Sequence, residues 1–242
     1  MQVFGRSDVG RVRPNNQDAF VCGLLSDQAA YAVVCDGMGG ASGGQIASTK
    51  SVQVIADRIV ERYRENMTES SIRNLLESAI AAANAAVFEI AQKDADLRGM
   101  GTTVVAAIAC QGKVHIAHVG DSRAYLIVDP TIEQVTRDHS IVQSMLEKGE
   151  LTADEAKHHP RKNLITRALG VEKIVEPDYT ERAFPQSALL LVCTDGLTNT
   201  VEPEEMFRMM HTTALDQLAD RLTVMANTRG GSDNITVALI SN

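Results

Sequence analysis

Three consecutive stretches, TTVVAAIAC, KVHIAHV and SRAYLIV, constrain this chain more than any other feature. Each is the length of one strand, and none alternates cleanly between apolar and polar residues. A sheet built from them must therefore be covered on both faces. The turn signals at Gln111-Gly112 and Gly120-Asp121 are too short for a crossover, which predicts antiparallel neighbours in a meander. Cover on both sides is met by a second sheet on one face and long helices on the other. Two amphipathic patterns supply such helices. In the first, from about Gly44 to Arg64, Val52, Ile55, Ile59 and Tyr63 recur every three or four residues. In the second, from Thr68 to about Asp94, the stripe runs from Ile72 through Leu76, Ile80 and Val87 to Ile90. The expected fold class is α+β, a four-layer α-β-β-α sandwich of two mostly antiparallel sheets flanked by helices.

The remaining segments fit that frame. QVFGRSD, AFVCGLL and YAVVC read as strands before the long helices, and DYTERAF, SALLLVC and NITVALI as strands after them. Pro203 sits at a helix start, and LDQLADRLTVMANT is an amphipathic helix. Between His139 and Leu169 the chain is polar. SIVQSMLEKGE predicts a short helix stopped at Gly149, and Thr152 through Glu155 has the spacing of a capping box. No repeat, low-complexity run or Pro/Ser-rich linker divides the chain, so residues 1–242 are expected to form one domain with a surface excursion at about 139–163.

A net charge of −8 argues against nucleic acid as the main partner, because binding phosphate backbone requires a basic surface. Cys22, Cys35, Cys110 and Cys193 lack CxxC spacing and lie in or beside apolar stretches, the pattern of reduced core side chains. The first residues form no apolar signal segment, and no run approaches the ~18 to 20 apolar residues that cross a bilayer. A cytoplasmic protein with no membrane partner is expected.

Five acids sit beside Gly, Ser or Asn at the edge of an apolar strand. They are Asp18 in RPNNQDAF, Asp36 in CDGMGG, Asp121 in VGDSRAY, Asp195 in CTDGL and Asp233 in GGSDNITV. Any one of them alone reads as a turn residue. Gathered at one end of a sandwich they would repel one another and raise each other's pKa, a cost that a divalent cation reverses. Oxygen ligands without His or Cys point to hard cations, namely magnesium, manganese or calcium. Two such ions bridged by short Asp side chains can activate water and clamp a phosphoryl group.

The sequence resembles the metal-dependent protein serine/threonine phosphatases of type 2C. The resemblance runs through SDVGRVRPNNQD, DGMGG, GMGTT, VGDSRAY, TRDHS, HPRKNLITRALG, CTDGLTN and GGSDNITV, in the family's order, over essentially the whole chain. EKGELTADEA resembles the flap of the compact bacterial members. The resemblance implies that Asp36 bridges two catalytic cations, with the Gly37 carbonyl reaching the second. It implies that Asp195 and Asp233 complete the first cation, that Asp18 holds the second, and that Asp121 with Asp195 holds a third, weaker one. It makes Arg13 the grip on the substrate phosphate, where its planar fork suits a dianion. The cofactors implied are two or three Mn2+ or Mg2+ ions. The reaction implied is hydrolysis of phosphoserine and phosphothreonine on proteins by a metal-activated water, with no covalent phosphoenzyme, and Asp36, Asp195 and Arg13 at its centre.

The chain also departs from that pattern. Animal members carry a histidine directly after the Asp-Gly pair as a proposed general acid, whereas this chain has Met38. Other bacterial members often have His and Glu where this one has Ala41 and Gln45. The leaving oxygen is therefore expected to take its proton from water, and His159 in the flap is the alternative donor. His115 and His118 read as core residues, and His158 and His159 as a solvated pair. A non-catalytic scaffold and a two-metal nuclease are the competing readings. All five acids and Arg13 being present counts against the first, and the acidic balance against the second. The expected partners are phosphoproteins, namely a serine/threonine kinase and its targets, or else one dedicated regulatory protein, and a monomer is expected. Substrate choice is expected to reside in the flap.

Overall fold

The structure is a computed structural model that describes residues 1–40 and 42–242. Its strands are β1 (Gln2–Asp8), β2 (Asp18–Ser26), β3 (Ala29–Met38), β4 (Gly101–Thr102), β5 (Val104–Cys110), β6 (Lys113–Val119), β7 (Arg123–Val128), β8 (Thr131–Gln134), β9 (Asp178–Ala183), β10 (Leu189–Cys193) and β11 (Ile235–Ser241). Its helices are α1 (Gly43–Arg62), α2 (Glu69–Lys93), α3 (Ile141–Glu147), α4 (Ala153–His158), α5 (Asp195–Thr198), α6 (Pro203–Thr212) and α7 (Leu215–Thr228). One sheet has the order β1-β11-β10-β7-β8 and the other β2-β3-β5-β6-β9, with β4 paired to β3. All of these pairings are antiparallel.

Three apolar layers hold the sandwich together. Alternate residues of β3, Ala30, Ala32 and Val34, face the inner side and pack with Val105, Ile116, Leu190, Val192 and Ile240 between the sheets. The intervening residues, Tyr31, Val33 and Cys35, face α1 and α2 and meet Ile55, Ile59, Leu76 and Ile80. On the far side Leu189, Leu191 and Val237 pack under α6 and α7 against Met206, Leu218 and Leu222. This is the expected four-layer arrangement. It explains why β5 is buried at every position and shows no alternation in its sequence.

The predicted helix features recur in place. Thr68 caps α2 by accepting from the Ser71 amide, Pro203 is the first residue of α6, and Thr152 with Glu155 forms a capping box at α4. Three of the four cysteines are buried and Cys22 is half-buried, all as free thiols.

The meander needs correction. β5 and β6 pair as expected, but β7 leaves that sheet and joins β10 in the other. A three-residue connection can span the ~10 Å between stacked sheets as readily as it can turn within one. Gly120, at a φ of +105, makes this corner, and a Cβ there would meet the Thr103 side chain at 2.6 Å. The switch puts Asp121 on the connection that crosses from one sheet to the other. Asp36 also differs from expectation. β3 does not stop at it but runs on to Met38, where Gly37 and Met38 pair with β4.

Candidate active site

The inner faces of both sheets turn polar at the same end. Counting by twos from the inter-sheet core, Val34 leads to Asp36, Phe20 back to Asp18, Val105 back to Thr103, Ala124 back to Ser122, Val192 to Thr194 and Ala238 back to Thr236. Side chains on one strand face must follow this period, so the apolar core ends in a layer of hydroxyls and carboxylates. Asp18 and Asp36 are direct cross-strand partners in that layer.

The hydroxyls hold the acids in place. Thr194 and Thr236 donate to Asp18 Oδ2 at 2.9 and 2.7 Å. Thr103 Oγ1 accepts from the Asp36 amide at 2.9 Å and shares a 2.7 Å hydrogen bond with Ser122. Thr102 Oγ1 donates to the Asp36 carbonyl at 2.8 Å. Gly37 is required by close backbone approach. A Cβ there would lie 2.1 Å from the Gly44 carbonyl at the start of α1 and 2.6 Å from that of Gln17.

Loops bring the other acids to the same end. Asp195 opens α5 and accepts from Asn199 at 3.1 Å. Asp233 precedes β11 and accepts from the Asn234 amide at 2.9 Å through Oδ1 and from Arg13 at 2.9 Å through Oδ2. Arg13, Asp36, Gly37, Asp121, Asp195 and Asp233 all line one cleft of about 430 Å³, and Asp18 lies behind it, buried. Every site residue singled out in the sequence is thus at this end of the sandwich.

The cleft is electrostatically incomplete without a cation. Burial pushes Asp18 up to about 7, against the pull of its two threonine hydrogen bonds and with repulsion from Asp195 and Asp233. Burial and repulsion from Asp195 likewise take Asp121 to about 7. Asp36, desolvated and facing Asp18, Asp195, Asp121 and Asp233, is raised well above the usual carboxylate range, and burial raises Asp195 too. Asp18 Oδ1 and Asp195 Oδ1 are buried with no hydrogen-bond partner. Oxygens orphaned in this way beside other carboxylates fit divalent ions of the hard class.

A second group, His118, His139 and Asp178, offers donor atoms within 4.8 Å of one another. A cation already stands there. Arg167 donates to Asp178 at 2.6 Å and lies 3.2 Å from His139 Nε2, and the two imidazoles stack at 4.8 Å. The group clamps the sheet-switching corner instead. His139 Nδ1 accepts from the Gly120 amide at 3.0 Å while its own amide donates to the Gly120 carbonyl at 2.9 Å. His115 and His118 are buried, as expected of core residues.

Sequence reasoning passed over the supporting residues. Asn234 donates to the carbonyls of Val9 and Asn15 and accepts from the Gln17 amide, fastening the loop that carries Arg13. Thr103 and Asn234 both lie inside motifs already quoted, GMGTT and DNITV, and the strand period marked Thr103, Thr194 and Thr236 as inner-face residues. Among the described residues no histidine lines the cleft. Ala41 lies outside the described residues, and Gln45 is exposed on α1.

Two stacked antiparallel sheets whose inner faces end in a cluster of acids, with an arginine at the mouth, define a phosphatase of the four-layer sandwich class. The chain belongs to the protein phosphatase 2C family, whose model matches residues 6–229. It is 42% identical over 241 residues to the serine/threonine phosphatase stp of Listeria innocua, covering 99% of this chain and 95% of that one. The structure is similar to that of the serine/threonine phosphatase Stp1 from Staphylococcus aureus, with a TM-score of 0.93 and 33% identity over 100% of this chain and 94% of that one. It is also similar to the catalytic domain of the serine threonine protein phosphatase PstP in complex with two manganese ions. There the TM-score is 0.86 and the identity 32%, over 98% of this chain and 96% of that one.

Proposed function

We propose that this chain is a metal-dependent serine/threonine phosphatase whose cleft hydrolyses phosphate monoesters on phosphoproteins. The observation that carries the reading is the pair of orphaned buried oxygens, Asp18 Oδ1 and Asp195 Oδ1, in a cleft of five acids with Arg13 at its mouth. Asp36, the Gly37 carbonyl, Asp18, Asp195 and Asp233 would hold two Mn2+ or Mg2+ ions, with Asp121 contributing to a third. Such ions supply Lewis-acid polarisation and a water nucleophile active at neutral pH.

The chain's own residues do the rest. Arg13 exchanges Asp233 for the substrate phosphate, presenting its planar fork to two phosphate oxygens. Asn234 and Gln17 hold the Arg13 loop, so the guanidinium stays over the acids. Neither Cys35 nor Cys193 is placed as a nucleophile, since both are buried and burial pushes both thiols up. With no histidine in the cleft, the leaving oxygen is protonated by water. His159→Ala losing alkyl phosphate turnover while sparing an aryl phosphate would transfer that task to the flap.

We assign residues 1–242 to one catalytic domain, with α3 and α4 forming a flap at about 139–163. No helix among the described residues is long and apolar enough to cross a membrane. We further propose that the chain acts as a monomeric cytoplasmic enzyme that reverses bacterial serine/threonine kinase signalling. The test is phosphate release from a phosphothreonine peptide, with manganese or with a chelator, by wild type and by Asp195→Ala. Release that needs the metal and is lost in the variant supports the assignment. No release by wild type at any metal concentration overturns it.

A further inference from the structure

A second cavity of about 420 Å³ adjoins the cleft and shares Met38 and Ile165 with it. Its apolar wall is the segment after the flap, where Val171 and Ile174 are 46% and 76% exposed. They share the cavity with Ile165, Ala168 and Val175, so these apolar side chains are grouped around one hollow and not scattered singly over the surface. Glu172 and Glu176 stand at the rim, and neither takes part in an ion pair among the described residues. Arg167, the one cationic lining residue among the described residues, is engaged by Asp178 and by the Glu176 carbonyl.

The wall is built rather than loose. Asn84, buried in α2, accepts from the Gly170 amide at 2.8 Å and donates to the carbonyls of Glu172 and Lys173 at 3.0 and 3.2 Å. Leu169 exchanges both backbone hydrogen bonds with Thr102, so the wall is joined to the strand pair that presents Met38. Met38 and Val171 both lie against Gly101. The side chain two residues after Asp36 is therefore the partition between cleft and cavity.

We propose, resting on the phosphatase reading above, that this cavity is a specificity subsite. It takes an apolar side chain of the phosphoprotein segment close to the phosphorylated residue, and Glu172 and Glu176 favour a basic residue beside it. Met38 and Ile165 line both hollows, which therefore adjoin, so one extended segment can cross Met38 and present its phosphate to Arg13 and its apolar neighbour to Ile174. This places sequence preference after the flap, where the flap itself was expected to hold it.

The test uses the full chain with manganese and a phosphothreonine peptide series carrying Leu or Gly at each flanking position in turn, with a small aryl phosphate as control. One flanking position is expected to favour Leu by about tenfold in kcat/KM, the size expected when one such side chain is partly buried. Ile174→Asp removes that preference and leaves aryl phosphate turnover unchanged. Glu172→Lys reverses a preference for Arg over Glu in the neighbouring position. The chain has no tryptophan, so a Trp placed at the preferred position reports binding directly by a blue shift that Ile174→Asp abolishes. Equal rates for Leu and Gly at every position, or a parallel loss of aryl phosphate turnover in Ile174→Asp, overturns the subsite while leaving the phosphatase assignment intact. Wild type inactive on both substrates overturns the two together.

Discussion

Arg13 donates to Asp233 across 2.9 Å, so the side chain expected to grip substrate phosphate is held by one of the acids expected to bind metal. The pairing raises the arginine's pKa through its hydrogen bond and charge interaction with Asp233, with smaller support from Asp36 and Asp195. In the absence of ligands each charge satisfies the other. On the proposed reading a cation would take over Asp233 and a phosphate dianion Arg13, so each would keep a partner of opposite charge when the pair separates.

Arg13→Ala should therefore cost activity without costing the fold, since Arg13 is exposed. A lost charge-assisted hydrogen bond is worth ~1.5–3 kcal/mol, or roughly 10- to 100-fold in kcat/KM on a phosphothreonine peptide. Arg13→Lys keeps the charge but not the fork and should recover part of the loss. Steady-state kinetics on the three proteins decides the matter, and an unchanged kcat/KM in Arg13→Ala would remove the arginine from substrate binding.

Metal dependence should be visible in stability as well as in rate. A ligand at about 100 times its Kd stabilises by ~2.7 kcal/mol, roughly 5–10 °C in Tm for a chain of this size. Thermal melts of wild type should rise by about that much with excess manganese. Asp195→Asn should shift by less than half as much. In chelator the variant should melt no lower than wild type, because one member of a mutually repelling group is gone. A variant with the full manganese shift would take Asp195 out of the ligand set.

His139 gives a pH signature. Burial lowers its pKa to about 4, with the Asp178 hydrogen bond opposing and His118 and Arg167 assisting. The unfolded chain then binds the proton more readily between about 6.5 and 4. Stability from this group is present above about 6.5 and is lost as pH falls toward 4. His139→Gln can still accept from Gly120 but does not titrate. Its Tm should fall less than that of wild type between pH 7 and pH 4, with chelator in both series. Parallel curves would show that His139 is not buried neutral.

Much of this was legible because strands have a strict period. The unbroken apolar runs of β5 and β6 demanded cover on both faces, and the acids bordering strands had to gather where strands end. The sheet switch at Gly120 was not legible, since a short polar connection reads alike whether it turns within a sheet or hops between two. The same ambiguity hid the location of Asp121. Asn84 was hidden for another reason. On the stripe of α2 it follows Ala83 as one polar residue among apolar ones, and its partners lie in a loop 86 to 89 residues away.

That buried amide carries the last prediction. Asn84 is 2% exposed and satisfies three backbone groups of the wall beyond the flap. Asn84→Ala leaves the Gly170 amide and two carbonyls without their partner, and the close packing of Gly170 on Val87 gives water little room to replace it. The cost should be about 2–4 kcal/mol, since each buried polar group left unpaired costs ~1–3 and the exposed side of the wall can recover part. Tm should drop by roughly 5–15 °C. Because the acids and Arg13 are untouched, aryl phosphate turnover well below the new Tm should match wild type, whereas turnover of a peptide with an apolar flank should fall. A stable variant, or one that loses both substrates equally, would mean that Asn84 does not hold the wall on which Val171 and Ile174 stand.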